Sequence, residues 1–162
     1  MIPPDLAFSW RWPSLSDVML HVASEVISTF RQYRQTELQQ ERGGLLFVRT
    51  DDARGLVLAR ATGPHRADRA TRYSLDLDPG RCSHDIKEAN RKGLRLIGHW
   101  HTHAEAHPNP STQDLDAFRD FGARYTDLLA WPLAVIVGTS LTDEGVRAWS
   151  IRAEGALAAL RE

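Results

Sequence analysis

Cysteine is almost missing: Cys82 is the single one among 162 residues. No internal disulfide can form, a cysteine-rich zinc finger is excluded, and the thiol usage suits a reducing cytoplasm. No apolar stretch reaches the ~18 residues of a membrane span, and Met1 to Trp12 lacks the basic start and apolar core of a signal peptide. Net charge is low as well. At −1, with a pI near 6.7, the chain has no bulk attraction to nucleic acid or an anionic membrane. Neither GxGxxG nor a P-loop pattern occurs, so nothing points to a nucleotide cofactor. The expected place of action is the cytoplasm.

What remains is a soluble globular composition, 42% hydrophobic and 25% charged, in a length suited to one domain with its own core. Arg60, Arg66, Arg69, Arg72, Arg81, Arg91, Lys92 and Arg95 crowd the middle of the chain and read as a solvated basic surface.

The pattern of elements is mixed. Residues 1–14, with three prolines and two tryptophans, read as an extended arm docked on the domain. Ser16 or Asp17 can cap a helix to about Gln35, with Val18, Val22, Val26, Phe30 and Tyr33 on one face. Gly43 to Arg49 and Leu56 to Ala61 form a hairpin across the turn-rich 50–55, and Thr71 to Leu77 a third strand. Asp78-Pro79 opens a helix that Gly93 ends. Leu94 to Trp100 is an apolar strand. Ser111 opens a helix carrying Leu115, Phe118 and Tyr125. Trp131 to Val137 pairs with Val146 to Ile151, and Glu154 to Arg161 reads as a short terminal helix. Strands and helices intermixed through hairpins predict an α+β (mixed α/β) domain.

The chemistry concentrates in two segments. Leu94 to Trp100 runs into Gly98-His99-Trp100-His101-Thr102-His103, and Ser111-Thr112-Gln113-Asp114 follows. Alternate side chains on a strand share a face, so His101 and His103 can converge on one ion at the strand end. Asp114 falls in the first turn of the next helix. Two imidazoles and a carboxylate with an open fourth position are the pattern of catalytic zinc. Upstream, Glu41-Arg42-Gly43-Gly44 offers a carboxylate free to accept and return a proton, and its glycines allow tight backbone approach. Ser111 can donate its hydroxyl to an oxyanion.

Blander readings apply to each part alone. Ser111 to Asp114 is also a capping box, paired histidines are common on strands, and Glu41 shares its polar stretch with Glu37. His99 shares the face of His101 and His103, either as a rival ligand or as a residue behind the ligands facing substrate. His107 reads as a solvated loop residue, and His21, His65 and His84 as ordinary helix or loop histidines.

Taken together, Glu41-x-Gly-Gly, His101-x-His103 and Ser111-x-x-Asp114, with residues 104–113 as the ten-residue spacer, resemble the JAMM (JAB/MPN+) metalloprotease family over roughly residues 15 to 152. One departure is Ala104, where the family usually has proline. The resemblance implies a cytidine-deaminase-like core with a curved mixed sheet flanked by helices, in a domain of residues 15–162. It implies that His101, His103 and Asp114 bind one zinc, that Glu41 is the general base and acid, and that Ser111 orients water or stabilises the oxyanion. It implies cleavage after the C-terminal glycine of a ubiquitin-like protein, as deconjugation or precursor processing. The wording around the histidines is most similar to the prokaryotic branch, and there to deconjugating peptidases of bacterial antiphage conjugation operons. A ubiquitin-like protein with a glycine-ended tail and a conjugating-enzyme homologue are the implied partners. Two alternatives stay open: processing of a sulfur-carrier protein, and a non-catalytic partner-binding scaffold. A zinc nucleoside deaminase is disfavoured, because its site uses cysteines.

Overall fold

The computed structural model describes residues 2–36 and 39–162; Met1 of the arm and Glu37 lie outside them. Its framework is one nine-stranded mixed sheet, in the order β10-β9-β8-β7-β3-β4-β2-β1-β11. The strands are β1 (Leu6–Trp12), β2 (Val18–Ala23), β3 (Gly43–Arg49), β4 (Val57–Ala61), β7 (Arg95–Thr102), β8 (Leu133–Val137), β9 (Val146–Arg152), β10 (Gly155–Ala158) and β11 (Leu160–Arg161). A separate ribbon joins β5 (Arg69–Ala70) to β6 (Leu75–Asp76). The helices are α1 (Ser24–Gln32), α2 (Pro79–Arg91) and α3 (Thr112–Arg124). The sheet curves until its two edge strands, β10 and β11, are separated only by Ala159. One segment therefore pairs with β9 on one side and β1 on the other, nearly closing a barrel.

β3 and β8 read as unbroken apolar runs because both faces are covered. Leu46 and Val48 join Val26, Phe30, Trp10 and Trp100 on the α1 side. Their neighbours Leu45 and Phe47 meet Cys82, Ile86 and Phe121 of α2 and α3 on the other. Ala134 and Ile136 pack on Phe118, which is fully buried; truncating such a phenylalanine costs about 3–5 kcal/mol.

The mixed α/β class and the β3–β4 and β8–β9 hairpins match the sequence reading, and three local readings are corrected. The expected helix over 16–35 begins only at Ser24. Ser16 and Asp17 take positive φ values of 57° and 55°, after which Val18–Ala23 is a strand between β1 and β4. Val18 and Val22 sit four apart, and four is a multiple of both the strand and the near-helical period. The expected terminal helix over 154–161 is instead strands β10 and β11. Gly155 turns the chain at φ 140°, and pairing with β9 and β1 outweighs the mild helix preference of alanine and leucine. The third strand over 71–77 is broken by a turn in which Thr71 N–H donates to Ser74 O at 2.9 Å, leaving only the short β5–β6 ribbon.

Arg81 corrects the basic-surface reading. It is 4% exposed, and its guanidinium bonds Asp68, Asp85, Thr62 Oγ1 and the carbonyls of Gly43 and Gly63. That network ties α2 to β3 and to the loop after β4. Removing one partner of a buried pair typically costs about 3–5 kcal/mol. His21 is also corrected: it lies on β2, where its ring bonds Ser9 Oγ and Arg54 O.

Candidate metal centre

Sheet polarity brings the motif together. β7 and β8 are parallel and β3 is antiparallel to β7, with Gly43 opposite His101. The end of β7 and the residues just before β3 therefore lie at one end of the sheet. The loop after His103 returns α3 to the same place. Gly43 and Gly44 are needed for that close fit: a Cβ would stand 2.1 Å from Trp100 O and 1.9 Å from Thr62 O respectively. Their tight approach is thus to neighbouring backbone.

Glu41, His101, His103 and Asp114 offer donor atoms that all lie within 4.8 Å of one another. His101 Nε2 is 3.2 Å from His103 Nε2 and 3.1 Å from Asp114 Oδ1, and His103 Nε2 is 3.0 Å from Asp114 Oδ2. Donors at ~2.0–2.1 Å from a tetrahedral zinc would stand about 3.3–3.4 Å apart, so this set fits such an ion with little adjustment. All but His103 are buried. Glu41, His101 and Asp114 line a 660 Å³ cleft between the β5–β6 ribbon, the start of α2 and one face of α3.

Ser111 and Asp114 satisfy the bland and the sharp reading together. Asp114 N–H donates to Ser111 Oγ at 3.0 Å, and Ser111 N–H donates to Asp114 Oδ2 at 2.7 Å. This reciprocal cap starts α3 and aims the carboxylate at both histidines. The Ser111 hydroxyl proton stays available because the cap uses only its oxygen.

The electrostatics follow from burial and contact. Burial lifts the Glu41 carboxyl to about 7, with Asp114 adding to the rise and His103 opposing it. A base near neutrality is matched to work at physiological pH. Burial lowers His101, against the pull of Asp114. Burial also pulls His103 down, but Asp114 and Glu105 outweigh it and raise this imidazole to about 9. Asp114 resists its own burial through the two histidines, which hold it well below the usual carboxylate range.

His99 is not part of the converging set. It lies between Phe118 and Phe121, at ring distances of 4.6 and 4.5 Å, and neither ring nitrogen has a hydrogen-bond partner among the described residues. It lines the cleft behind the ligands, and burial lowers its pKa to about 3. Of the basic group between Arg60 and Arg95, Arg69 alone among the described residues lines the cleft, whose walls carry Asp76, Asp116 and Asp120.

A model of prokaryotic homologues of the JAB domain matches residues 23–152. The chain belongs to the prokaryotic JAB family. This JAB domain is 33% identical over 126 residues to a Pseudomonas aeruginosa protein named CD-NTase/cGAS isopeptidase, covering 74% of this chain and 77% of that one. An Escherichia coli protein of the same name is 25% identical over 100 residues, covering 60% and 64%. The solution structure of a Desulfitobacterium hafniense protein shares the fold with a TM-score of 0.60 at 19% identity, over 87% of this chain and 88% of that one.

The JAB domain also contains a partner the sequence reading passed over. Glu105 falls inside the ten-residue spacer 104–113; its Oε1 lies 2.8 Å from His103 Nδ1 and accepts Asn109 N–H at 3.0 Å. An ionised carboxylate only accepts, so Nδ1 carries the proton and Nε2 is left facing His101 and Asp114. A carboxylate two residues past a ligand histidine was the available signal. The same residue braces the loop that lacks the family's proline at Ala104: Thr139 N–H donates to Glu105 O at 2.8 Å.

Proposed function

We propose that this JAB domain is a zinc-dependent isopeptidase that hydrolyses the bond joining the C-terminal glycine of a modifier to a lysine amine. Residues 1–14 join the peptidase domain 15–162 by supplying β1 to its sheet. The observation that carries the reading is the convergence of Glu41, His101, His103 and Asp114, three of which, Glu41, His101 and Asp114, line an open cleft. His101, His103 and Asp114 hold the ion. Zinc in such a site supplies Lewis-acid polarisation and a water acidified to about pKa 7. Glu41 takes the proton from the attacking water and delivers it to the departing amine. Ser111 donates its hydroxyl to the developing oxyanion. An extended tail enters along the cleft, where the β5–β6 ribbon offers a strand edge for main-chain pairing.

The relatives' name, CD-NTase/cGAS isopeptidase, favours cleavage of isopeptide conjugates of a ubiquitin-like modifier in bacterial antiphage defence over sulfur-carrier processing. A conjugating-enzyme homologue would supply the substrate. The place of action is the cytoplasm, in keeping with the free, buried Cys82. Among the described residues no helix is long and apolar enough to cross a membrane.

The test uses a lysine reporter peptide linked through its ε-amine to the glycine end of a modifier encoded beside this chain. Wild type releases the peptide, Glu41→Gln releases it at least about 100-fold more slowly, and both bind one zinc by elemental analysis. Tight binding of the conjugate without release by zinc-loaded wild type would support a scaffold instead.

A further inference from the structure

The reaction proposed above requires Glu41 to be held beside the ligands, yet Glu41 belongs to no strand or helix; it precedes β3 in the connector from α1. The bonds that locate it start from Thr102, the residue between His101 and His103. Thr102 is fully buried, and strand alternation turns its side chain away from the face of its two neighbours. Thr102 N–H donates to Arg42 O at 2.9 Å, and Arg42 N–H donates to Thr102 Oγ1 at 3.0 Å. This is a two-point clamp on the residue next to Glu41.

The Thr102 hydroxyl donates onward to Gln35 Oε1 at 2.9 Å. Gln35 is 1% exposed. Its Nε2 donates to Gln39 O at 2.8 Å and Arg72 O at 3.2 Å. Glu41 N–H in turn donates to Thr71 O at 2.7 Å. The buried amide thus fastens the segments on both sides of Glu41, and its donors and acceptor are spent on that task.

We propose that Thr102 and Gln35 are positioning residues that lock the carboxylate of Glu41 in register with the ligand strand. The inference rests on the isopeptidase reading only for its kinetic consequence. The mechanical claim stands on the metal-free protein.

The test compares Thr102→Val, Thr102→Ser and Gln35→Met, each with and without Glu41→Gln. Amide hydrogen exchange of the metal-free protein is read first. Thr102→Val and Gln35→Met should exchange the amides of Glu41 and Arg42 about 10- to 100-fold faster, and Thr102→Ser should match wild type. Zinc stoichiometry should stay at one. On the isopeptide reporter kcat should fall about 10- to 100-fold, the scale of a small misplacement of a reacting group, with KM within about threefold. That loss should vanish in the Glu41→Gln background. Unchanged exchange at residues 41 and 42, loss of zinc, or the same loss in the Glu41→Gln background would each overturn the proposal. Should Thr102→Val fail to fold, Gln35→Met carries the same test. Absence of isopeptidase activity in wild type would remove the proposed function and leave the exchange result to decide the clamp.

Discussion

Replacing Glu41 by glutamine should stabilise the metal-free protein at alkaline pH while abolishing its chemistry. The carboxyl is raised from its ordinary 4.5 to about 7, a rise that corresponds to about 3 kcal/mol. Solvent entering the open cleft screens part of this, leaving on the order of 2 kcal/mol. The sign follows from linkage. A folded pKa raised above the unfolded one costs nothing below pH 4.5, and the cost grows until the pH passes 7. Glu41→Gln should therefore melt about 4–8 °C above wild type at pH 8 in the presence of a chelator. At pH 5 the gain falls to roughly a quarter of its alkaline value. Zinc should shrink the gain, because a cation beside Glu41 favours the carboxylate. Isopeptide cleavage should drop about 100-fold or more. Melting by circular dichroism from pH 5 to 8.5 is the assay. A melting difference independent of pH, or a less stable variant at pH 8, would refute the reasoning.

Further outcomes follow from the same geometry. His103 keeps its proton up to about 9 without metal, and proton and metal compete for Nε2. Zinc affinity, measured against a competing chelator, should rise about tenfold per pH unit from 7 to 9; affinity that stays flat would remove His103 from the ligand set. Glu105→Ala frees the His103 ring and should weaken zinc about 10- to 100-fold, with wild-type affinity arguing that the 2.8 Å contact is idle. Ser111→Ala should cost about 0.5–2 kcal/mol through the lost cap. Ser111→Gly costs only a few tenths of a kcal/mol at the cap but leaves no side-chain hydrogen to donate, and should lose about 100-fold in rate; full activity in that variant would leave Ser111 as a cap alone.

The site was legible in the chain because its ligands are local. His101 lies on β7, His103 lies one residue past the strand and Asp114 caps the next helix, so short-range geometry nearly builds the centre. Glu41 was legible only through the family pattern, since nothing near it in sequence marks it apart from its polar neighbours. Thr102 and Gln35 were not legible: their bond joins residues far apart in the chain, and neither type announces burial. The same reason hid Arg81, whose partners lie on β3, on α2 and in the loop after β4. Two of the fold errors share one cause. At Val18 to Ala23 and at 155–161 the local preference is weak or ambiguous, and pairing with distant strands decides the outcome.

The closing segment also sets the order in which this protein can form. Trp10 lies opposite Arg161 and Arg11 opposite Leu160, while Ser9 and Glu162 exchange both of their backbone hydrogen bonds. The strand of residues 6–12 thus waits for residues 160–161 before its outer edge is covered. Contacts of such long sequence separation are slow to form. Until then β1 is an unpaired edge able to recruit another chain. A nascent chain has no early resting point in this architecture. Growth conditions that delay synthesis of residues 155–162 should raise its aggregation more than its misfolding into any alternative monomer.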